Sequence, residues 1–569
     1  MDLPAELRPL PLRLVCAAAC FVAWAWGVPA QAVASADQAA FVAVMQAKVA
    51  AAEAGDHMAC QGEMVCGIAE LPGFYALREY RPAWRDAGGS FTPAGELLQF
   101  IERAAAEHGL HPPNYHLETI RRLLELDQTE HQAGRPLETN LAVDLDFLLT
   151  DAFLLLASHL RAGRVNPETL HAEWVVQMDP ELDISRRLED AIATGRIAET
   201  LDGFAPPHPE YRFLKQALAH YRGLAAAGEW PQLPDKAAWE RGQTGEIAEL
   251  LRERLTRSGD YRHLPNDPVA ADDELMEALR RFQARHGLEV DGRMGRQTLN
   301  ALNVSLAERI RQIELNLERW RWLPHDLGNR HIWVNVPRFK LSVAENGSSV
   351  LDMRVVVGRH YRRTPVFSSL MDHLVINPDW NIPNRIAVQD ILPKAQKDPG
   401  HLRREKIRVF EGWARGAAEL DPDAIDWSRV TAGNFRYRLM KDPGPHNDLG
   451  RVKFMFPNKF SVYLHDTPSK RLFERSMRGF SSGCIRIEKP LDLAAYLLAD
   501  SPEWSREAVT AAINSGRLLT VRLKQKIPVH LVYMTAGSGV DGGVEFWQDI
   551  YQRDAALDRA LRQKPPRRP

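Results

Sequence analysis

The sequence predicts a multidomain α+β protein: a helical first half, a small three-helix unit, and a mainly β second half carrying an inserted segment. Three observations predict it. The chain has 569 residues, more than one core organises at about 100–200 residues per domain. Apolar residues recur every three or four positions up to about residue 240, and every two from about 330. Between Pro383 and Gly450 that alternation yields to Pro- and charge-rich stretches such as Asp442-Pro443-Gly444-Pro445, which read as an insertion, partly helical, able to cover a site as a lid. The charge balance, 72 Lys and Arg against 74 Asp and Glu, nets −2. It supplies no global field for phosphate backbones and argues against a nucleic-acid partner.

In chain order, residues 1–34 read as a signal peptide. Arg8 and Arg13 precede an apolar run from Leu14 to about Val28, followed by Ala30, Ala32, Ala34 and Ala36 as cleavage-type small residues. The run is shorter than the ~20 residues that span a bilayer, so membrane contact is expected only through this segment if it stays uncleaved as an anchor. Export places Cys60 and Cys66, in CQGEMVC, where disulfides persist. They are expected to pair; the alternative is a metal shared with His57, which lacks a convincing fourth ligand.

Residues 35–240 read as a helical scaffold, with faces such as Leu97, Phe100, Ile101, Ala104 and Leu141, Leu145, Leu148, Leu149. His108, His111 and His116 flank Gly109 and Pro112-Pro113, a helix stop and restart rather than a ligand set. Residues 241–303 form a compact unit. Leu275, Leu279 and Phe282 mark a helix with Asp272 or Asp273 as N-cap and Gly287 as its end; a Gly-punctuated turn leads to Leu299 and Leu302. A linker helix is expected over 304–329. Residues 330–527 form the mainly β domain, opening with Ile332, Val334, Val336 and a hairpin at Glu345-Asn346-Gly347. The insertion occupies about 384–450. Residues 528–569 are a C-terminal strand and tail.

Two residues carry chemistry. Cys484 sits in Phe480-Ser481-Ser482-Gly483-Cys484-Ile485-Arg486. A thiolate attacks carbonyls far better than a thiol, so nucleophilic use needs an adjacent base. His465 precedes it by 19 residues, at the end of a segment in which Phe460, Val462 and Leu464 alternate with Ser461, Tyr463 and His465. That alternation puts His465 beside Tyr463, away from the apolar face. Gly483 permits unusual dihedrals before the sulfur, where backbone N–H groups can face an oxyanion. Histidine before cysteine is the reverse of the papain order. The bland alternative for Cys484 is an inert buried thiol.

The segment YLHDTPSKRLFERSMRGFSSGCIRIEKPLDLA resembles the active-site signature of the YkuD-type L,D-transpeptidases, histidine, a spacer, then S-x-G-C-x-R. NPDWNIPNRIAVQDILP, PGPHNDLGRVKFMFPN and IPVHLVYMTAGSGVDGGVEFWQDIYQRD resemble the large YcbB-like branch. LRRFQARHGLEVDGRMGRQTLNALN resembles a peptidoglycan-binding domain, although its glycines can serve turns alone. The resemblance implies a helical scaffold, a three-helix peptidoglycan-binding domain and a mainly β YkuD-type catalytic domain with a lid. It implies an acyltransferase of the periplasm of a Gram-negative bacterium, active in cell-wall biogenesis and cell shape. Its partners are peptidoglycan stem peptides and glycan, with other cell-wall synthesis enzymes left open. In such enzymes the cysteine attacks the third residue of a stem tetrapeptide, D-alanine leaves, and a second stem's third-residue amine resolves the thioester.

By this resemblance Cys484 is the nucleophile, His465 the base and Gly483 with Cys484 the oxyanion donors. Asp466 or a backbone carbonyl orients His465. Ser481, Ser482 and Arg486 match signature positions, Arg486 as a loop ion pair or a contact to a substrate carboxylate. Trp380, Asn381 and Tyr463 line the donor cleft or pack the core. Ser482 stands where many relatives have histidine. No cofactor or metal motif occurs. Three alternatives stay open: hydrolysis of the same acyl-enzyme, its transfer to a protein, and a non-enzymatic wall-binding protein.

Overall fold

A computed structural model of the chain describes residues 30–54, 58–67, 70–85, 91–175, 183–262 and 268–563. Residues 1–29 of the signal segment and His57 lie outside them. Among the described residues no helix is long and apolar enough to cross a membrane.

The scaffold is built around helix α1, Thr139–Ala162, which is buried on all sides from Ala142 to Leu160. Its apolar run explains the central position; its three buried aspartates explain the arrangement of everything around it. Asp144 pairs with Lys48. Asp146 accepts from the Tyr75 hydroxyl at 2.7 Å and the Ala83 and Trp84 N–H groups. Asp151 pairs with His116 at 2.7 Å and accepts from the Cys66 N–H at 3.1 Å. His116 is thus a packed ion-pair partner.

No disulfide joins Cys60 to Cys66, contrary to the sequence expectation. Cys60 is buried against Asp144, whereas Cys66 is held at Asp151. Those aspartates are seven residues apart on one helix, about 10 Å along its axis. The two thiols are thus anchored at separate places along the helix and stay free.

Helix α2, Pro209–Ala226, leads towards the three-helix unit of α3, Glu246–Arg257, α4, Pro268–Arg285, and α5, Arg296–Leu302. Its core contains Leu251, Leu255, Leu275, Leu279, Phe282 and Leu302. Asp272 and Asp273 lie inside α4 rather than capping it. Gly287, at φ +64, ends it. The helix expected within 304–329 is present and is buried as a hub. In α6, Leu306–Arg321, Ile313, Leu317 and Trp320 pack against Tyr211, Leu214 and Leu218 of α2. The C-terminal Phe546 and Trp547 join the same cluster.

The main sheet of the second half has nine strands: β1 Arg330–Asn335, β2 Lys340–Glu345, β3 Ser348–Gly358, β4 Phe367–Ile376, β5 Val452–Met455, β6 Leu464–His465, β7 Gly479–Ser481, β8 Ile485–Ile487 and β9 Leu519–Val532. Their order is β7-β3-β8-β6-β5-β4-β9-β1-β2, and β2 also pairs with β3. Eight strands therefore close into a barrel, with β7 beside the end of β3. Ile332, Val334, Leu374, Phe454, Leu464, Ile485 and Ile487 fill its core. The 460–464 alternation yields only the short strand Leu464–His465, because Ser461 turns the chain at φ +54.

The insertion folds as a unit. Strands Trp380–Asn381, Ile407–Phe410, Glu419–Leu420 and Arg438–Lys441 form a separate sheet. Ile382, Leu392, Leu402, Val409, Trp427 and Leu439 give it a core of its own.

Candidate active site

Strand alternation assembles the site on the outer face of three neighbouring barrel strands. Leu464, Ile485 and Ile487 point into the barrel, so Tyr463, His465, Cys484 and Arg486 share the opposite face. Strands β6 and β8 run parallel with Leu464 opposite Ile485 and His465 opposite Arg486. On the other side His465 faces Lys453 of β5. The Lys453 ammonium lies 4.0 Å from the centre of the Tyr463 ring, and the Tyr463 and His465 rings meet edge-on at 5.7 Å.

Two cations thus flank a thiol and an imidazole. Burial raises the Cys484 thiol above its ordinary range, opposed by bonds from Tyr463 and by the charges of Lys453 and Arg486. Burial, then Arg486 and Lys453, push His465 down to about 3, against bonds to the backbone at Asp466 and Leu449. At neutral pH the pair is therefore neutral thiol and neutral imidazole. The Asp466 carbonyl oxygen receives the His465 Nδ1 hydrogen. A carbonyl only accepts, so Nδ1 carries a proton. The Asp466 carboxylate is engaged elsewhere, with the Arg451 N–H at 2.8 Å and Lys470. Its backbone, rather than its side chain, orients the base.

The nucleophile loop is tied to itself. Buried Ser481 donates its hydroxyl hydrogen to the Cys484 carbonyl and accepts from the Gly483 N–H at 3.1 Å. One expectation changes here. Ser481 is a clasp inside the loop, its hydroxyl committed on both sides. The Gly483 N–H is spent on it and does not face an oxyanion. Gly483 itself adopts φ +118, a region an L side chain rarely enters. Ser482 accepts from Arg362 at 2.9 Å, and Arg362 also grips Asp390 and Gln389 of the lid. The serine side chain therefore joins loop to lid.

Arg486 makes no ion pair within 4 Å among the described residues, and its buried Nε has no partner there. Among the described residues the Asp448 charge reaches Arg486 without forming the expected loop ion pair. Trp380 packs against the lid core, and Asn381 is exposed, bonded to Arg438 at 2.9 Å and to Asp379. These two belong to the lid's first strand; of the three cleft candidates, Tyr463 is the one placed at the sulfur. Behind the loop, a cleft of about 540 Å³ is lined by Glu173, Tyr361, Arg363, Arg385, Ser482 and Gly483. Sequence reasoning missed Lys453, although Val452, Phe454 and Phe456 alternate around it as the His465 segment does.

Comparison with known proteins agrees with this geometry. Residues 329–510 match the L,D-transpeptidase catalytic domain of the YkuD family. Residues 244–302 match the family described as "Putative peptidoglycan binding domain", and 69–218 match a scaffold domain. The chain is 34% identical over 249 residues to a Haemophilus influenzae protein named "Putative L,D-transpeptidase". That alignment covers 44% of this chain, and the chain spans about half the length of that relative, 49%. An L,D-transpeptidase catalytic domain and a peptidoglycan-binding domain are present in one multidomain chain.

Proposed function

We propose that the protein is an exported L,D-transpeptidase that cross-links peptidoglycan stem peptides through an acyl-enzyme on Cys484. The observation that carries this reading is the placement of Cys484, His465, Arg486 and Lys453 on one face of three adjacent strands, with the insertion tied to the nucleophile loop through Arg362. Sγ attacks the carbonyl carbon of the third stem residue while His465 Nε2 takes the thiol proton. Collapse of the tetrahedral adduct breaks the amide, and His465 returns that proton to the departing D-alanine amine. The third-residue amine of a second stem then attacks the thioester. Its proton passes through His465 to the sulfur, restoring the thiol.

A neutral ground-state pair suits this sequence, since neither partner is trapped as an ion before substrate arrives. Arg486, which forms no ion pair within 4 Å among the described residues although the Asp448 charge reaches it, is assigned to a stem carboxylate, as are Arg363 and Arg385 of the cleft. The periplasm of a Gram-negative bacterium is the proposed site of action, and the three-helix unit the holder of glycan or stem.

The test is to incubate the mature protein with a disaccharide tetrapeptide and weigh the products. A dimer lighter than two tetrapeptides by one D-alanine is expected, with Cys484→Ala inert. Free tripeptide alone would establish hydrolysis, and no product without a protein acceptor would establish attachment. A dimer retaining both D-alanines would overturn the acyl-enzyme route.

A further inference from the structure

Gly483 and Cys484 share one peptide unit, and a trans peptide points its C=O and N–H in opposite directions. Whatever fixes the Gly483 carbonyl therefore aims the Cys484 N–H. Thr364 fixes it. Its hydroxyl donates to the Gly483 carbonyl at 2.9 Å and accepts from the Gly358 N–H at 2.9 Å. Thr364 is fully buried, so no water competes for that oxygen.

The threonine is held in turn by the C-terminal segment. Its N–H donates to the Tyr551 hydroxyl at 3.1 Å, and that hydroxyl donates to the Gly358 carbonyl at 2.7 Å. The Tyr551 N–H donates to the Tyr533 hydroxyl at 2.7 Å, and the two rings stack at 5.5 Å. The Arg553 guanidinium backs both rings at 5.3 and 4.9 Å, and the scaffold's Trp174 at 5.2 Å. Because Ser481 takes the Gly483 N–H, the Cys484 N–H is the donor left next to the sulfur. Among the described residues no acceptor takes it.

We propose that Thr364, braced by Tyr551, is a positioning residue that aims the Cys484 N–H at the oxyanion formed when Sγ adds to a carbonyl. The proposal rests on the acyl-enzyme reading above. In the step concerned the S–C bond forms and the carbonyl π pair moves onto oxygen. The thiol proton goes to His465.

Two reactions of Cys484 in the full chain separate this role from mere loop support. Acylation by p-nitrophenyl acetate passes through an oxyanion; alkylation by iodoacetamide does not. Thr364→Val should slow acylation roughly 10–100-fold, approaching the loss of an oxyanion donor, with alkylation within about twofold of wild type. Thr364→Ser should restore acylation. Tyr551→Phe, one neutral hydrogen bond further back, should cost roughly 2–10-fold in acylation alone. Unchanged acylation in Thr364→Val, an equal fall in both reactions, or a wild-type chain inert to the ester would overturn the proposal. A chain that accepts the ester but forms no thioester with tetrapeptide would refute the substrate reading and leave this one standing.

Discussion

At the scale of single residues the site is a thiol and an imidazole that burial keeps neutral. The Cys484 thiol lies above its ordinary range because burial outweighs Tyr463, Lys453 and Arg486. Its alkylation rate should still be climbing at about pH 9. Lys453→Met removes a cation that favours the thiolate, so the profile should move to higher pH; a plateau below pH 8 would contradict the assignment. His465, near 3 in the folded chain, carries the opposite linkage to a salt-bridged histidine. Between about pH 6.5 and 3 the unfolded chain binds a proton that the folded site refuses, so stability is full above 6.5 and falls as pH drops. Urea midpoints from pH 7 to 5 should decline less in His465→Gln than in wild type. Cys484 and His465 were legible because their motif is local and its alternation places the base. Lys453 was not, since its role depends on β5 lying beside β6, a pairing no local pattern states. The clasp of Ser481 was also hidden, because the same signature position serves a substrate contact or a loop bond equally well.

At the scale of elements, helix α1 combines an apolar surface with acidic residues that recruit their neighbours. The 3.6-residue spacing of Leu141, Leu145, Leu148 and Leu149 made the helix legible. The partners of its aspartates were not, because they come from segments 35 to 96 residues away. Export and close spacing favoured a Cys60–Cys66 disulfide, yet α1 holds the two cysteines two turns apart. His116 shows the energetic weight of this arrangement. Burial disfavours its charged form, but bonds to Asp151 and Glu63 raise it to about 9. Its contribution is fully present below about pH 6.5 and is lost as pH rises through 9. Asp151→Asn leaves the imidazole buried without its carboxylate and should cost about 3–5 kcal/mol. It should also flatten the loss of stability between pH 7 and 9.5; an unchanged alkaline slope would remove the pair from that role. The lid was legible as an interruption of the alternation, while its separate core depends on pairing Trp380–Asn381 with Arg438–Lys441 across the insertion.

At the scale of the whole molecule, α6 and the C-terminal segment bind scaffold, three-helix unit and barrel together. Sequence reasoning read 304–329 as a linker helix; no local pattern shows that its charges are spent on buried partners. Glu318, 1% exposed, accepts from the Val165 N–H at 3.0 Å at the exit of α1. It also pairs with Arg321 at 2.8 Å. Arg321 in turn reaches the His108 carbonyl and the Tyr211 hydroxyl, while Arg319 pairs with Asp554 of the C-terminal segment at 2.6 Å. If these contacts make the chain one cooperative unit, a defect at Glu318 must be felt at Cys484, which it does not touch. Glu318→Gln preserves shape but leaves the Arg321 charge buried without its counter-ion, a cost of about 3–5 kcal/mol. Unfolding in urea can be followed at two places, by hydrogen exchange along α1 and by alkylation of Cys484 with a reagent in excess. Both midpoints should fall together and by the same amount. A scaffold transition that moves while the Cys484 transition stays at its wild-type midpoint would mean that the barrel folds independently of α6. In that case the hub would join two units without coupling their stabilities.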